Sequence, residues 1–170
     1  ANARVSIEAA CDTEGTPVDV IAFRGSVAEI VRDLAALVGR SFLPPAWALG
    51  FHQSRWSYKT ARTVLDVARR FRALDLPADV IHLDIHYMDR YRVFTFSPER
   101  FREPRQMHDE LHALGLRTLA IVDPGVSAVP YPVYEALKAG EMLLERADGS
   151  PYVGRVWPGA TVFPDFTLQR

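Results

Sequence analysis

The run Val80-Ile81-His82-Leu83-Asp84-Ile85-His86-Tyr87-Met88 limits the folds open to this chain more than any other segment. A β-branched apolar stretch delivers a carboxylate near its end. Strand alternation places Val80, His82, Asp84 and His86 on one face and Ile81, Leu83 and Ile85 on the other. Both faces are largely apolar at the start, which suits a parallel strand buried on both sides. Polar groups gather only toward the C-terminal end, where open α/β sheets and β/α barrels keep their ligand sites.

Strand and helix patterns alternate around this run. Residues 46–52 read as a strand. Residues 60–74 read as a helix with Val64, Val67, Ala68, Phe71 and Leu74 on one stripe. Residues 79–85 form the second expected strand. A helix over 104–114 ends at Gly115, and a third strand over 116–122 stops at Asp123-Pro124-Gly125. A further helix over 131–139 is followed by Gly140. Three strands alternating with helices predict a parallel sheet with right-handed crossovers. Residues 142–158 read as a β-hairpin around Asp148-Gly149.

The chain before this alternation is different. Residues 1–25 read as β, with two apolar strands flanking a turn-rich segment over 12–17. Ser26 followed by Glu29 is a capping-box pattern, and Val27, Ile30, Val31, Leu34, Leu37 and Val38 follow at helical spacing up to Gly39. Pro44-Pro45 is a stiff boundary. The expected division is therefore 1–43 and 44–170.

Length sharpens the fold. A β/α barrel needs about 250 residues and eight units, and about three units fit after Pro44. A three-unit sheet alone would leave apolar strand edges bare. If the fold is a barrel, the chain holds its first part. At 48% apolar, 24% charged and a net charge of −1, the 170 residues have the composition of a globular domain. That balance gives no reason to expect nucleic acid or an anionic membrane as partner. A single cysteine, Cys11, excludes an internal disulfide and a cysteine-based metal site. No apolar run approaches the ~20 residues of a membrane span. The first methionine is Met88, so the chain reads as processed or as a fragment, and its compartment is open, with a cytoplasmic location as the default.

Residues that could carry chemistry follow the strand ends. His52-Gln53-Ser54-Arg55-Trp56-Ser57-Tyr58 comes after the first, Asp84 with Tyr87, Tyr91, Phe94 and Phe96 after the second, and Asp123 after the third. Trp157 belongs to the expected hairpin. Aromatic rings with isolated carboxylates suit a carbohydrate, because sugar C–H faces stack on rings and vicinal hydroxyls donate to a carboxylate. The alternative is ordinary rim packing. His82, Asp84 and His86 also form an H-x-D-x-H set on one strand face, a geometry open to a metal. Against it, His82 lies one layer deeper, as a hydrogen-bonded core residue would. His108 and His112, at i and i+4 on a helix, read as solvated helix-face residues. Asp123 before Pro-Gly can equally be a turn former.

Seven segments together resemble a known family. They are Leu43-Pro44-Pro45-Ala46-Trp47-Ala48-Leu49-Gly50-Phe51-His52-Gln53, Arg55-Trp56-Ser57-Tyr58, Leu83-Asp84-Ile85-His86-Tyr87-Met88-Asp89, Tyr91-Arg92-Val93-Phe94-Thr95, Val122-Asp123-Pro124-Gly125, Val156-Trp157-Pro158-Gly159 and Phe163-Pro164-Asp165-Phe166. They are similar to glycoside hydrolase family 31, the α-glucosidase and α-xylosidase family, from about Phe23 to the last residue. The resemblance implies a retaining α-glycosidase, with α-glucosidase the leading class, whose (β/α)8 barrel follows a β-sandwich. Residues 1–25 would end that sandwich. By motif, Asp84 falls on the acid that binds sugar hydroxyls in subsite −1 and Trp56 on an aromatic of that pocket. Ile85 and Ile121 fall on its apolar wall, and Trp157 on a ring lining it. Asp123 and His86 stand beside it.

The resemblance has departures. Family members often carry Asp where His86 stands, and Ser54 replaces a frequent Cys. The family's nucleophile, in a Trp-x-Asp-Met-Asn-Glu type motif, and its acid/base are both absent up to Arg170. The expectation is part of a sugar pocket with no catalytic carboxylate, a carbohydrate as partner, and no cofactor or metal. A non-catalytic sugar-binding relative, or a metal-dependent hydrolase using His82, Asp84 and His86, are the alternatives.

Overall fold

The structure, a computed structural model, describes residues 20–168. The chain divides into two compact units, 1–43 and 44–170. In the first, helix α1 (Val27–Val38) starts as a capping box: Ser26 Oγ accepts the Glu29 N–H, and the Glu29 carboxylate accepts the Ser26 N–H at 2.8 Å. Those bonds from Ser26 hold the Glu29 carboxyl below its ordinary pKa. Gly39, at φ 89°, ends the helix in a conformation that favours glycine. The β reading of residues 1–19 lies outside the described residues. Residues 20–25 form no strand, a correction to the expectation that strands run to residue 25.

The second unit is built on a parallel sheet. Its elements are β1 (His52–Gln53), α2 (Ala61–Ala73), β2 (Val80–Leu83), α3 (Pro104–Ala113) and β3 (Arg117–Ala120). The strands lie in the order β1-β2-β3, all parallel, with His52 opposite Val80 and His82 opposite Leu119. Thr60 caps α2 through its side chain, and Pro104 opens α3, where its missing N–H costs nothing.

Register sorts the sheet into two faces. Ile81 and Leu83 share one face with Thr118 and Ala120. This face packs under the helices, in one cluster with Val64 and Ala68 of α2 and Met107 and Leu111 of α3. The opposite face carries His52, Val80, His82, Arg117 and Leu119. The central strand is buried almost throughout, whereas β3 alternates between exposed and half-buried residues.

The strands are shorter than the sequence predicts. Residues 46–52 do not form one strand: Ala46–Leu49 is a short 3-10 helix begun by the Pro45 carbonyl, which accepts the Ala48 N–H at 2.9 Å. Gly50 then passes so close to Asp79 that a Cβ would collide with its carboxylate, which accepts the Phe51 N–H at 3.0 Å. β2 stops at Leu83, because Asp84 opens a 3-10 turn over Ile85–Tyr87. The long connection to α3 is pinned at three points. Ser97 N–H donates to the Tyr87 carbonyl at 2.8 Å, Arg100 donates to the Met88 carbonyl at 3.0 Å, and the Tyr87 hydroxyl donates to the Ile121 carbonyl at 2.8 Å.

A second, antiparallel sheet follows. Its strands β4 (Val126–Ser127), β5 (Val153–Val156) and β6 (Gly159–Val162) lie in the order β4-β6-β5, with helix α4 (Pro132–Ala139) between the first two in sequence. The regular hairpin therefore turns at Trp157-Pro158, not around Asp148-Gly149. Asp148-Gly149 does form a turn, with Asp148 Oδ1 accepting the Ser150 N–H at 2.9 Å. Only the single bridge Glu145–Pro151 follows it, held by Arg146 N–H to the Ser150 carbonyl at 2.8 Å and Tyr152 N–H to the Leu144 carbonyl at 2.7 Å, before the chain pairs elsewhere through the Leu143–Pro164 bridge.

Candidate sugar site at the strand ends

A cavity of about 390 Å³ opens beyond the C-terminal ends of the three parallel strands. Ser54, Arg55 and Trp56 reach it from the loop after β1. His82, Leu83 and Asp84 reach it from β2 and its end, and Leu119 and Ile121 from β3 and its end. Three of the residues singled out in the sequence, Trp56, Asp84 and Ile121, meet here. Among the described residues, the charged side chains lining the cavity are Arg55 and Asp84.

Asp84 is half-buried, and its Oδ1 accepts the Ile85 N–H at 2.7 Å. Its second oxygen has no hydrogen-bond partner among the described residues, which leaves an acceptor for a ligand. The Trp56 ring is 80% exposed, a large apolar face without a protein partner on its open side. Its edge meets His86 at 6.2 Å, and His86 meets Tyr91 edge-on at 5.6 Å. The three rings form a rim that starts at the cavity and runs along the loop after β2. Arg90, Tyr91 and Phe94 in that loop hold positive φ, a conformation costly for residues other than glycine. Tyr87 is 3% exposed; burial, with the nearby Asp123 carboxylate adding to it, pushes its phenol above the ordinary pKa and keeps it a donor to Ile121.

Four expected site residues stand elsewhere. Ile85 is 6% exposed and belongs to the core cluster, on the side that strand alternation gives it with Ile81 and Leu83, and so does not line the cavity. The 3-10 turn that begins after Asp84 takes His86 off the strand face that strand alternation assigned to it. His86 sits behind Trp56, and its Nδ1 is buried without a partner. Asp123 lies by Tyr87, outside the cavity lining. Trp157 is 65% exposed at the β5–β6 turn and also outside that lining. The H-x-D-x-H set does not converge: among the described residues no three His, Cys, Asp or Glu side chains are gathered as a metal site would need.

The histidines on the helix face also differ from expectation. His108 Nδ1 is hydrogen-bonded to Thr118 Oγ1 and its ring meets Phe96, so it is packed against β3 and not solvated. Burial lowers its pKa, with His112 lowering it further against an opposing pull from Asp109. His112 is exposed as expected. Leu119 lines the cavity without having been singled out in the sequence; it shares a strand face with Ile121 two residues on, a signal available from alternation alone. Arg55 enters the sequence reading only as part of the segment after the first strand, since an irregular loop gives its side chain no periodic signal.

The comparisons with known proteins agree with this geometry. Residues 41–170 match the description "Glycosyl hydrolases family 31 TIM-barrel domain". The chain is 43% identical over 159 residues to Alpha-glucosidase 2 of Bacillus thermoamyloliquefaciens, covering 92% of this chain and 20% of that protein. It is 41% identical over 152 residues to human Neutral alpha-glucosidase AB, covering 88% and 16%. Among solved structures, the Family 31 alpha-glucosidase from Bacteroides thetaiotaomicron superposes with a TM-score of 0.75 at 41% identity, over 85% of this chain and 25% of that one. The ER glucosidase II complex gives 0.78 at 36% identity, over 81% and 15%. The chain thus spans about a fifth or less of the curated relatives it matches. Parallel strands with helices on one face, a cavity at their C-terminal ends and a family match over residues 41–170 lead to one assignment: the chain belongs to glycoside hydrolase family 31 and forms a partial (β/α)8 barrel.

Proposed function

We propose that this chain forms part of the −1 sugar pocket of a retaining α-glucosidase. The observation that supports it best is the meeting of Trp56 and Asp84, from two different strand ends, on one cavity. Asp84 accepts hydrogen bonds from the hydroxyls of a terminal α-linked glucose through its free oxygen, and Trp56 stacks on the sugar's C–H face. Ile121 and Leu119 form the apolar wall. Asp123, His86 and Trp157 act from outside the lining described above, and Ile85 acts by supporting the turn that aims Asp84.

Retention of configuration needs two carboxyls about 5 Å apart, one as nucleophile and one as acid/base. Among the described residues Asp84 is the one carboxylate lining the cavity, and it cannot take both roles. The two catalytic carboxyls come from residues outside this chain, and residues 1–43 comprise the end of a preceding β-sandwich and the helix that links it to the barrel. Hydrolysis of p-nitrophenyl α-glucoside tests the reading. The intact enzyme turns it over, and residues 1–170 alone do not. Turnover by the 170-residue chain, abolished by mutating one of its own acids, would overturn the assignment of roles. Glucose binding without hydrolysis by the intact protein would favour a non-catalytic relative.

A further inference from the structure

Beneath Asp84 lie two histidines that sugar binding by Asp84 and Trp56 leaves unused. His52 Nδ1 is 3.0 Å from His82 Nε2, and His52 Nε2 is 3.3 Å from the Trp47 carbonyl oxygen. The rings stand 5.3 Å apart, tilted by 43°. Hydrogens are assigned here from the network. A carbonyl only accepts, so His52 Nε2 carries a hydrogen. In the neutral ring His52 Nδ1 is then bare and accepts from His82 Nε2–H. His82 Nδ1 is bare in its turn. It has no partner among the described residues, it is not sealed from solvent, and its side chain lines the cavity.

We propose that His52 and His82 are a positioning dyad that fixes an acceptor nitrogen, His82 Nδ1, one layer below Asp84, where it takes a hydrogen bond from a hydroxyl of the bound sugar. This rests on the reading of the cavity as a sugar subsite.

One proton reverses the site. A proton on His52 makes its Nδ1 a donor toward His82 Nε2, which must then be bare, so the His82 hydrogen moves to Nδ1. A proton on His82 occupies Nδ1 directly. Either way the cavity-facing nitrogen turns from acceptor to donor. Two protons would set two N–H groups against each other across 3.0 Å, so the pair takes one. The charged groups around it are Asp84 and Arg55 on the cavity, Arg117 over the Trp47 ring at 5.1 Å, and Asp79 at the Phe51 N–H. Burial, and then His52, lower the pKa of His82, so the acceptor form extends to lower pH than for a free imidazole. By linkage, acid that protonates the dyad weakens sugar binding, and sugar opposes protonation.

The test uses the intact enzyme labelled with 15N-histidine, with His82 identified by comparison with His82→Leu. Nitrogen shifts are followed from neutral to mildly acidic pH, with and without D-glucose. The expected result is a bare Nδ1 and a protonated Nε2 on His82 at neutral pH, and a single proton uptake by the pair. D-glucose should move the Nδ1 resonance and drive the uptake to lower pH. His52→Phe should leave His82 in mixed tautomers and weaken D-glucose binding by roughly three- to tenfold, the worth of one neutral hydrogen bond. A protonated Nδ1 at neutral pH, two separate uptakes, or a His82 signal indifferent to D-glucose overturns the dyad, whether or not His52→Phe folds. Hydrolysis of p-nitrophenyl α-glucoside by the same wild-type sample judges the α-glucosidase reading separately.

Discussion

The two faces of the parallel sheet come from alternating residues of the same strands and reach opposite ends. On the helix side Ile81 and Leu83 are 0% and 1% exposed. On the cavity side Leu119 and Ile121 are 44% and 39% exposed, and the same face carries His52 on β1 and His82 on β2, with Asp84 just past the end of β2. The helix face is closed by apolar contact that any well-packed β/α layer supplies. The cavity face is the one a complete barrel would enclose, so across these three strands it stands partly open, and Asp84 at its end keeps one carboxylate oxygen without a partner among the described residues. The first face accounts for why the unit folds, and the second for what it can bind.

Breaking the helix face should have the largest effect. Leu111 is fully buried under the sheet, so Leu111→Ala should cost roughly 2–5 kcal/mol of stability, read by urea unfolding. The activity of the molecules that remain folded should hardly change. A small loss would mean the helix layer is not what stabilises the unit.

On the cavity face the effects reverse. Asp84→Asn in the intact enzyme should lower kcat/KM on an α-glucoside at least about a hundredfold, roughly 2.7 kcal/mol. The amide keeps the shape but loses the charge that accepts sugar hydroxyls. Melting temperature should stay nearly constant. Near-normal kcat/KM would remove Asp84 from the sugar pocket.

Tyr87 joins the two faces, since its buried ring sits in the core and its hydroxyl holds the Ile121 carbonyl at the cavity. Tyr87→Phe should therefore cost about 1 kcal/mol of stability and also lower kcat/KM by a few fold. An effect on stability alone would show that Ile121 keeps its place without the bond.

The smallest effect is on pH. His108 on the helix face and His82 on the cavity face both have pKa values lowered by burial. Each is neutral in the folded state and binds its proton more readily when unfolded. Their stabilisation is thus full above the ordinary imidazole pKa of about 6.5 and is lost as pH falls through the folded values. His108→Gln should flatten the acid slope of the unfolding free energy, and D-glucose should alter only the His82 contribution. An unchanged slope in His108→Gln would assign the acid sensitivity elsewhere.

Much of this arrangement could be read in advance from local signals. The Ser26–Glu29 capping box, the Thr60 and Pro104 helix starts and the alternation of strands with helices are short-range patterns; the caps and helix starts stand within a residue or so of their expected places, and the strands keep their order but are shorter. Asp84 was legible because strand ends of parallel sheets are where ligands bind, and alternation carried the reading as far as the strand itself ran. It failed at His86, where the chain has left the extended form, whereas Ile85 stays on the core side that alternation gives it and only the family resemblance sets it on the pocket wall. His52 and His82 were visible as histidines, but their pairing depends on the register of β1 against β2, which no local pattern specifies.

The sequence by itself determined the layer order, the parallel sense of the strands and the carboxylate at their common end, because period, caps and turn residues act over a few positions. Only the tertiary structure decided which rings meet Asp84, why Trp157 stands off the cavity, where the hairpin turns and how His82 is held. Those depend on distances between segments about 30 residues or more apart in the chain, such as the 3.0 Å between His52 and His82, which arise only once the helix-side core has packed and brought the strands into register.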